Sequence, residues 1–378
     1  MFLWGLSSPS SAAVFYVELF GDDSNDCRSA SSPCHSIAGA LAQGSGPDRI
    51  IVGDGRYPGA FEIDRRGVRI VSRGGRGATF IGSGYENLQI LILADSGRIG
   101  QRGRGFTIFG DITIMADNAV IEDNHITSAE SESEASTGSS VITYANRTFV
   151  RYNTIDGSVR AMPPDADGFH IQGLSILDNV VQAIMFVSTS FISNHKIAGN
   201  RVAGTLNGFN TFPGDRYLRE WSDLSKNIIR DNDFGSRVLI YGGDYFFEDN
   251  RTDFVHLIAP TGTVVRDNHI TANEAVWSLI LSGGRKVAVV GNTITNTGAD
   301  TGVSIGATTD VRFRSNNVWG TSCAFDFNQR PIDATPLVFA NNHYGAPGQP
   351  DLACTDGGEA LEASGALRLN PRAEPNRY

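Results

Sequence analysis

A short phrase recurs along this chain and constrains its fold more than any other feature. In the clearest copies, at 120–126, 149–155, 264–270 and 289–294, an apolar pair is followed by one or two variable residues, Asn, any residue and another apolar residue. With looser copies included, the Asn falls at positions 124, 153, 179, 200, 232, 250, 268, 292, 316 and 342. Successive Asn residues are 18 to 32 residues apart. Repeats of this length built from short β segments indicate a solenoid.

The repeated Asn is expected at a tight turn between two short strands. Asn tolerates left-handed backbone conformation and bonds to neighbouring backbone. Stacked in register at about 4.8 Å per coil, such side chains would form an internal amide ladder. The Asn residues are therefore interpreted as scaffold, and functional residues are sought where the repeat is disturbed.

The composition limits the class of partner. Hydrophobic residues make up 40% of the chain and charged residues 19%, which is typical of a globular protein. The net charge of −10 argues against nucleic acid as a partner, because phosphate binding needs a basic surface. It leaves room for an anionic polysaccharide held in a local basic groove. Membrane insertion is not expected, because no apolar stretch is long enough to span a bilayer.

The four Cys residues form two pairs by position, one near each end of the repeat series. We predict the disulfides Cys27–Cys34 and Cys323–Cys354, each stabilising an end where stacking partners run out. A four-Cys metal site is the alternative, but the pairs are far apart and lack CxxC spacing. Disulfides favour a secreted or periplasmic location. Residues 1–13, a short apolar stretch and a Ser/Ala run, are interpreted as a possible signal remnant.

The N-terminal segment carries a resemblance to a known family. It reads Tyr-Val…Gly-x-Asp-Ser-Asn…Cys…Pro-Cys…Ile…Ala-Leu and then Ile-x-Val-x-x-Gly-x-Tyr, with a short amphipathic helix for which Ser36 is a candidate N-cap. This is similar to the N-terminal cap of bacterial right-handed parallel β-helix proteins of the pectate-lyase-like superfamily. The resemblance covers residues 14–345.

The resemblance implies an all-β fold, a right-handed parallel β-helix of about 10–12 coils with a short N-terminal capping helix. We expect the cap at 14–60, the β-helix at 61–345, and a C-terminal cap or tail at 346–378. The superfamily includes polysaccharide lyases, epimerases, glycosidases and proteins without known catalysis, so a polysaccharide partner is implied without a single activity. The polygalacturonase Asn-Thr-Asp and Asp-Asp pair and the Asp-Pro-His of alginate epimerases are absent.

The densest polar group in the sequence is Asp165-Ala166-Asp167-Gly168-Phe169-His170. Strand alternation places His170 outward, and the same rule places His256 and Asp326 outward. Asp167 could hold the tautomer of His170 and raise its basicity. The alternative is ordinary turn chemistry, since Asp-x-Asp-Gly is common in turns.

One of the two coils that carry an insertion offers further candidate residues. Residues 204–226 form an insertion with Arg216, Tyr217, Arg219 and Trp221, where Arg forks could bind carboxylates and aromatic rings could stack on sugars. A loop that covers an apolar edge is the alternative. Arg237 and Tyr241 of the next coil would flank the same groove.

Other polar clusters have weaker chemical meaning. His195 and Lys196 could neutralise a sugar carboxylate, but a solvated basic turn is the favoured interpretation. The insertion at 128–140 carries Glu130, Glu132 and Glu134, for which calcium binding is the alternative to a solvated loop. No cofactor is otherwise expected.

These observations lead to a hypothesis of an exported, polysaccharide-active β-helix protein, a lyase or C5-epimerase acting on a uronate polymer. Both reactions begin with removal of the proton α to a carboxylate. The assigned roles are base for His170, acid for Tyr241, orientation for Asp167, and carboxylate neutralisation for Arg216, Arg219 or Arg237. Two alternatives stay open: a glycosidase using Asp165 and Asp167, and a non-catalytic glycan-binding or adhesion protein. The oligomeric state is not predicted.

Overall fold

The structure is a computed structural model that describes residues 12–83, 88–128, 138–162, 171–186, 192–208, 227–273, 277–298, 301–319, 323–326, 337–344 and 367–368. The chain divides into two compact units, unit 1 (Met1–Val159) and unit 2 (Arg160–Tyr378). Apart from one helix in unit 1, the regular secondary structure of the described residues consists of β-strands, most of them short.

Unit 1 contains helix α1 (Ile37–Gln43) and the strands β1 (Val14–Val17), β2 (Arg49–Val52), β3 (Gly55–Tyr57), β4 (Phe61–Ile63), β5 (Arg69–Ser72), β6 (Thr79–Ile81), β7 (Leu88–Ile92), β8 (Arg98–Ile99), β9 (Thr107–Ile114), β10 (Val120–Glu122), β11 (His125–Thr127), β12 (Val141–Thr143) and β13 (Phe149–Arg151). Strand β14 (Thr154–Ala161) includes the boundary between the units.

Unit 2 contains the strands β15 (Ile171–Gln172), β16 (Ser175–Leu177), β17 (Val180–Phe186), β18 (Ile192–Ser193), β19 (Lys196–Ala198), β20 (Arg201–Val202), β21 (Leu206–Gly208), β22 (Asn227–Arg230), β23 (Asp233–Phe234), β24 (Arg237–Tyr241), β25 (Tyr245–Glu248), β26 (Arg251–Thr252), β27 (Phe254–Ile258), β28 (Val264–Arg266), β29 (His269–Ala272), β30 (Trp277–Val290), β31 (Thr293–Asn296), β32 (Thr301–Arg314), β33 (Asn317–Trp319), β34 (Cys323–Asp326), β35 (Leu337–Ala340), β36 (His343–Tyr344) and β37 (Leu367–Arg368).

The strands of each unit stack in three parallel rows. Within a coil, the row A strand comes first and ends at a turn. The row B strand follows that turn, and the row C strand completes the coil. In unit 1, row A is β1, β2, β5, β8, β10 and β13. In unit 2 it is β16, β19, β22, β25, β28, the ends of β30 and β32, β35 and β37. Ten of these row A strands are followed by the repeated Asn.

Row C is the row whose strands position the candidate site. In unit 2 it consists of the end of β17, then β21, β24, β27, the beginnings of β30 and β32, and β34, all paired in parallel. In both units each strand pairs in parallel with the strand of the same row in a neighbouring coil. This pairing is that of a parallel β-helix, so each unit is a parallel β-helix.

Alternation of side chains along each short strand builds the core. In unit 1 one inward column runs through Phe15, Ile50, Ile70, Ile99, Ile121 and Val150, which are at most 1% exposed. In unit 2 an inward column of row C runs through Val238, Val255, Leu279, Val303 and Phe325, all fully buried. Complete burial of one such side chain is worth about 1.5–3 kcal/mol, so in-register stacking of apolar residues stabilises the coils.

The predicted amide ladder is present. Asn232 is typical: its Nδ2 donates to Oδ1 of Asn250 at 2.9 Å and to backbone carbonyls of Arg230 and Ile197. Its backbone N–H also donates to the Asn250 Oδ1, at 3.1 Å. Within unit 2 the same contacts link successive Asn side chains from Asn179 to Asn342. The ladder therefore satisfies buried backbone groups at every turn.

The turn itself differs from the expectation in one respect. The left-handed residue is the one before the ladder Asn, at all ten positions, and it is most often Asp, as at Asp231, Asp249 and Asp267. The Asn side chain points inward, where the ladder holds it. Asp, Asn and Gly are the residues that adopt this backbone conformation at least cost.

The N-terminal cap agrees with the sequence prediction. Ser36 is the N-cap of α1 and its hydroxyl accepts a hydrogen bond from the Gly39 N–H at 2.8 Å. Cys27 and Cys34 form a disulfide and are fully buried. The disulfide closes the loop beside β1, because Val17 pairs with Cys34. No helix in the described part of the chain has the length and apolarity needed to span a membrane.

Removal of the Cys27–Cys34 crosslink is expected to lower the free energy of unfolding by about 2–3 kcal/mol, because the open loop regains chain entropy in the unfolded state. The measurement is urea unfolding of the wild type and of a Cys27→Ala/Cys34→Ala variant, each with and without reductant. The variant should unfold at lower urea than the oxidised wild type. Equal midpoints for these two proteins would contradict a stabilising role. Any reductant effect that persists in the variant reports the predicted Cys323–Cys354 pair.

Candidate functional site

The outward side of row C in unit 2 gathers several chemically active side chains. We use the name row C face for the outward residues of β24, β27 and the beginning of β30. Their inward neighbours are buried, and the outward ones are half-buried except for the exposed Arg237. The members of the row C face are Arg237, Leu239, Tyr241, Phe254, His256, Ile258, Ile280 and Ser282.

His256 lies at the centre of the row C face. Its register partners are Leu239 on one side and Ile280 on the other. The ring Nε2 is 2.9 Å from the Ser282 Oγ, so a hydrogen bond fixes the ring orientation. The Phe254 ring packs edge-on, with 6.2 Å between the ring centroids. The imidazole is thus set in a mainly apolar frame with one polar partner among the described residues.

Burial in this frame lowers the pKa of His256 below its usual value. The charged imidazolium loses hydration when it is partly removed from water, and no carboxylate among the described residues offsets the loss. The ring is therefore neutral at neutral pH. A neutral imidazole held by a hydrogen bond can accept a proton from a bound molecule.

Tyr241 and Ser282 lie diagonally on opposite sides of His256. Both are register partners of Ile258, which is two residues after His256 on the same strand. Adjacent strands are about 4.8 Å apart and two residues along a strand advance about 6.6 Å, so each Cα lies roughly 8 Å from that of His256. A phenol and an imidazole at this separation can act on neighbouring atoms of one ligand.

Arg237 begins the strand that ends at Tyr241, and its register partner is Phe254. Its exposed guanidinium is the cation of the row C face, and a guanidinium fork binds carboxylates. Three sequence candidates, Arg237, Tyr241 and His256, are thus brought together on two adjacent strands.

Other sequence candidates lie elsewhere. Lys196 begins β19 in row A, where its partners are Ser175 and Ile228, so it does not share the row C face. Asp326 is on row C in β34 and is only 8% exposed. The predictions for Asp165, Asp167, His170, Arg216, Tyr217, Arg219, Trp221 and Cys354 fall outside the described residues.

The expectation of a solvated basic turn at His195 is wrong. His195 is 2% exposed, its Nδ1 accepts from the Leu174 N–H at 3.2 Å, and its Nε2 lies 3.1 Å from the Ile171 carbonyl oxygen. Its own N–H donates to Oδ1 of Asn227. His195 is therefore a structural residue that takes the same part in backbone bonding as a ladder amide.

Ser282 was missed by the sequence reasoning. A signal existed, because Ile258 and Ser282 are each ten residues before a ladder Asn, at Asn268 and Asn292. Counting back from the Asn gives the register of these two coils, which places Ser282 one strand away from His256. The count fails in coils with insertions, so it gives no general rule.

No group of three or more His, Cys, Asp or Glu side chains in the described ranges is arranged to hold a metal ion. Glu130, Glu132 and Glu134, the residues considered for calcium, lie outside those ranges. The described row C face itself offers imidazole, phenol, hydroxyl and guanidinium groups. These groups are of the kinds that can transfer protons and bind anions.

Comparison with known proteins does not assign the chain to a family. No protein-family model matches the chain, and no curated protein matches it. Among solved structures, the A-module of a mannuronan C-5 epimerase from Azotobacter vinelandii matches with a TM-score of 0.40 and 14% identity over 83% of this chain and 94% of that one. DFA-IIIase from Arthrobacter chlorophenolicus A6 without its lid gives 0.38 and 14% over 85% and 90%. A rhamnogalacturonan lyase gives 0.39 and 10% over 90% and 89%. At these identities and TM-scores the similarities do not bear on activity.

The lowered pKa of His256 has a consequence for stability. Above about pH 6.5, the ordinary pKa of His, the ring is neutral in the folded and unfolded chain alike. As the pH falls below that value, the unfolded chain takes up the proton more readily, so the free energy of unfolding decreases until the lowered pKa of the folded state is passed. We expect wild-type stability to fall more steeply than that of His256→Gln between pH 7 and 5. Urea unfolding across this range measures it, and parallel curves would contradict it.

Proposed function

We propose that the row C face binds a linear polysaccharide and that His256 removes a proton from it, in a lyase or epimerase reaction on a uronate. The observation that carries this proposal is the His256 ring, neutral and oriented by Ser282, between Tyr241 and the cation Arg237. The sequence hypothesis assigned the role of base to His170, which lies outside the described residues. We assign this role to His256, because its described geometry supports it.

The form of the row C face suits a sugar polymer. Apolar and aromatic side chains, Leu239, Phe254, Ile258 and Ile280, alternate with polar groups across adjacent strands. Ligand sites combine such apolar area with a few placed polar groups, and aromatic rings pack against the C–H faces of sugars. Because every coil adds a strand at about 4.8 Å, similar positions recur along the direction of stacking. A chain of similar units can occupy several of them at once.

Each residue then has a role in proton transfer. The His256 nitrogen that carries the lone pair accepts the proton α to the uronate carboxylate, and the electron pair moves into the carboxylate as an enolate. Arg237 stabilises the charge that develops on the carboxylate oxygens. Ser282 acts through His256 as a positioning residue, because it fixes the plane of the ring.

The two reactions differ in the second step. In β-elimination the enolate expels the glycosidic oxygen at C4, and the Tyr241 hydroxyl donates a proton to that leaving oxygen. In epimerisation no bond to oxygen breaks, and the Tyr241 hydroxyl donates a proton to the same carbon from the opposite face. Asp165, Asp167 and His170, with the insertion residues Arg216, Tyr217, Arg219 and Trp221, stay proposals as additional catalytic or substrate-binding groups.

The described row C strands of unit 2 do not offer the paired carboxylates of a glycosidase. Asp326 is the one carboxylate that the described row C strands of unit 2 carry, and a glycosidase of the usual kind needs two flanking one sugar bond. The glycosidase alternative therefore depends on Asp165 and Asp167.

A substrate panel tests the proposed function. The protein is incubated with polygalacturonate, alginate, hyaluronate and chondroitin, and three signals are followed: ultraviolet absorbance of unsaturated uronate, solvent-proton exchange into the polymer, and new reducing ends. Absorbance indicates elimination, and exchange without absorbance indicates epimerisation. Reducing ends without absorbance would indicate hydrolysis, and silence in all three signals with retained binding would indicate a glycan-binding protein. Either of the last two outcomes rejects the proposed reaction.

We propose that the protein works outside the cytosol. The Cys27–Cys34 disulfide is the supporting feature, since disulfides persist in oxidising compartments. Fractionation of the native host tests the proposal, and recovery of the protein only from the cytosol with reduced Cys27 and Cys34 would reject it.

A further inference from the structure

The outer side of row A in unit 1 carries three arginines in one line. Arg49 in β2 is the register partner of Arg69 in β5, and Arg69 is the partner of Arg98 in β8. Neighbouring strands are about 4.8 Å apart, so the three residues follow one another at that spacing. Arg69 is exposed, and Arg49 and Arg98 are half-buried. We use the name arginine line for these three residues.

The arginine line lacks acidic partners among the described residues. None of its members is within ion-pair distance of a described carboxylate, whereas acids nearby already have cations. Asp48 is buried and lies 3.8 Å from Arg65, and Glu122 pairs with Arg151 at 3.1 Å. The three guanidinium groups therefore lie beside one another without an ion pair to a described carboxylate, and the longer-range attraction of Glu122 acts on Arg98.

Outward charges elsewhere in the fold are arranged differently. In row A of unit 2 the register runs Arg230, Glu248, Arg266, so Glu248 lies between two cations. Row B of unit 2 repeats the arrangement with Arg201, Asp233 and Arg251. Among the described strand registers, the arginine line is the one place where three like charges are consecutive.

This arrangement has a cost for the folded protein. Like charges directly opposite one another on neighbouring strands are destabilising. The pKa of Arg98 is lowered, first by burial and then by the positive charges of Arg69 and Arg151. A bound anion with charges spaced along the line would remove the repulsion between the three arginines. Binding of such a ligand would therefore be the function of the arginine line.

We propose that the arginine line binds a linear anionic polysaccharide whose carboxylates lie along one edge of the chain, as a binding strip in addition to the row C face. A guanidinium fork pairs with a carboxylate through two hydrogen bonds, which a Lys cannot do. Three forks in single file match a ligand that presents its charges in single file. A small anion would engage at most two of them.

Nucleic acid fits the surroundings less well. Residues 49–104 carry ten arginines and five acidic residues, but the whole chain has a net charge of −10, so the basic region is limited. Duplex binding needs a broad basic surface. Single strands are bound by bases stacked on aromatic rings, whereas the direct register neighbours of the line are Val14 and Val120. The aromatic Phe149 follows only beyond Val120, so no ring is a register neighbour of an arginine of the line.

The proposal is independent of the row C chemistry, and binding alone tests it. Immobilised polygalacturonate is titrated with the wild type, Arg69→Gln and Arg76→Gln at several salt concentrations. Arg76 is an exposed arginine of the same unit outside the line, so it controls for the loss of one charge. We expect Arg69→Gln to weaken binding about tenfold and to reduce its salt dependence, and Arg76→Gln to bind as the wild type does.

Thermal unfolding separates binding from a structural role. Removal of one of three repelling charges should leave the melting temperature of Arg69→Gln equal to or above that of the wild type. Unchanged binding by Arg69→Gln, or an equal loss in Arg76→Gln, overturns the proposal. It is also overturned if sulfated glycan or oligo-dT binds through Arg69 while polygalacturonate and alginate do not.

The row C variant keeps the two proposals distinguishable. His256→Ala should retain binding that depends on Arg69, and Arg69→Gln should retain turnover of short uronate oligomers. Polymer binding through Arg69 without turnover by the wild type would reject the proposed function and support the arginine line. Turnover by the wild type, together with polymer binding that Arg69→Gln leaves unchanged, would support the proposed function and reject the arginine line as a binding strip.

Discussion

Replacement of His256 with alanine is expected to lower the rate of reaction on the active uronate polymer by about 10²- to 10⁴-fold, the usual contribution of a positioned general base. The loss should appear in kcat, because the imidazole accepts the proton in the transition state and contributes little to binding of the ground state. Ser282→Ala should cause a smaller loss, because the ring stays present but its orientation is no longer fixed by the hydrogen bond at 2.9 Å. Initial rates with wild type and both variants measure the effect.

His269→Ala is the matched control for the His256 variant. His269 is exposed on row B, so loss of its ring removes an imidazole from a different side of the coil. Its rate should equal that of the wild type. Melting temperatures within a few degrees of the wild type are required of all variants. A folded His256→Ala protein with wild-type kcat would show that the row C face does not contain the base.

The second large effect concerns the amide ladder. Asn316→Ala is expected to lower the free energy of unfolding by about 2–4 kcal/mol. The Asn316 Oδ1 accepts from the N–H of Asn292 at 2.9 Å and from its Nδ2 at 2.8 Å, and the Asn316 Nδ2 donates to the Val289 carbonyl. Truncation leaves the Asn292 N–H and the Val289 carbonyl without these partners in a buried site.

The chain provides a control for this variant in the next residue. Asn317 is exposed on row B, so Asn317→Ala should change the free energy of unfolding by less than about 0.5 kcal/mol. Urea unfolding monitored by circular dichroism compares the two substitutions on the same backbone segment. Equal effects would contradict the ladder as a stabilising element, because composition and local sequence are otherwise the same.

The sequence predicted the scaffold well because the scaffold is periodic. A ladder Asn must recur in every coil it serves, and its flanking apolar residues must point inward, so the pattern is visible in one dimension. Even there the left-handed residue was misplaced by one position, since both Asn and the preceding Asp tolerate that conformation. In the structure the preceding residue adopts the left-handed conformation, because the ladder holds the Asn side chain inside.

The candidate site was predicted only in part, for a physical reason. Coils differ in length from 18 to 32 residues, so neighbours on adjacent coils have no fixed separation in sequence. Tyr241 and His256 were identified by chemistry and alternation, but the Ser282 partner of His256 depends on the register of β27 with β30. His195 shows the opposite error, because a polar residue beside Lys196 gives no sign in the sequence that its ring will be buried and bonded to backbone groups.

The arginine line was invisible for a related reason. Its strands β2, β5 and β8 precede the first ladder residue, Asn124, so the repeat phrase does not align them. In the sequence, Arg49, Arg69 and Arg98 are 20 and 29 residues apart and stand among seven other arginines between 49 and 104. Only the pairing of the strands brings these three into one line.

Titration of the histidine rings with ligand tests the row C face most directly. With ¹³C-labelled His, the ring resonances of His256 and His269 are assigned from the variants His256→Gln and His269→Gln. The protein is then titrated with oligogalacturonate, oligomannuronate and oligoguluronate. We expect at least one of these oligosaccharides to shift the His256 resonance while that of His269 stays in place. If none shifts His256, or if a ligand shifts His269 and leaves His256 unchanged, the row C face is not the carbohydrate site.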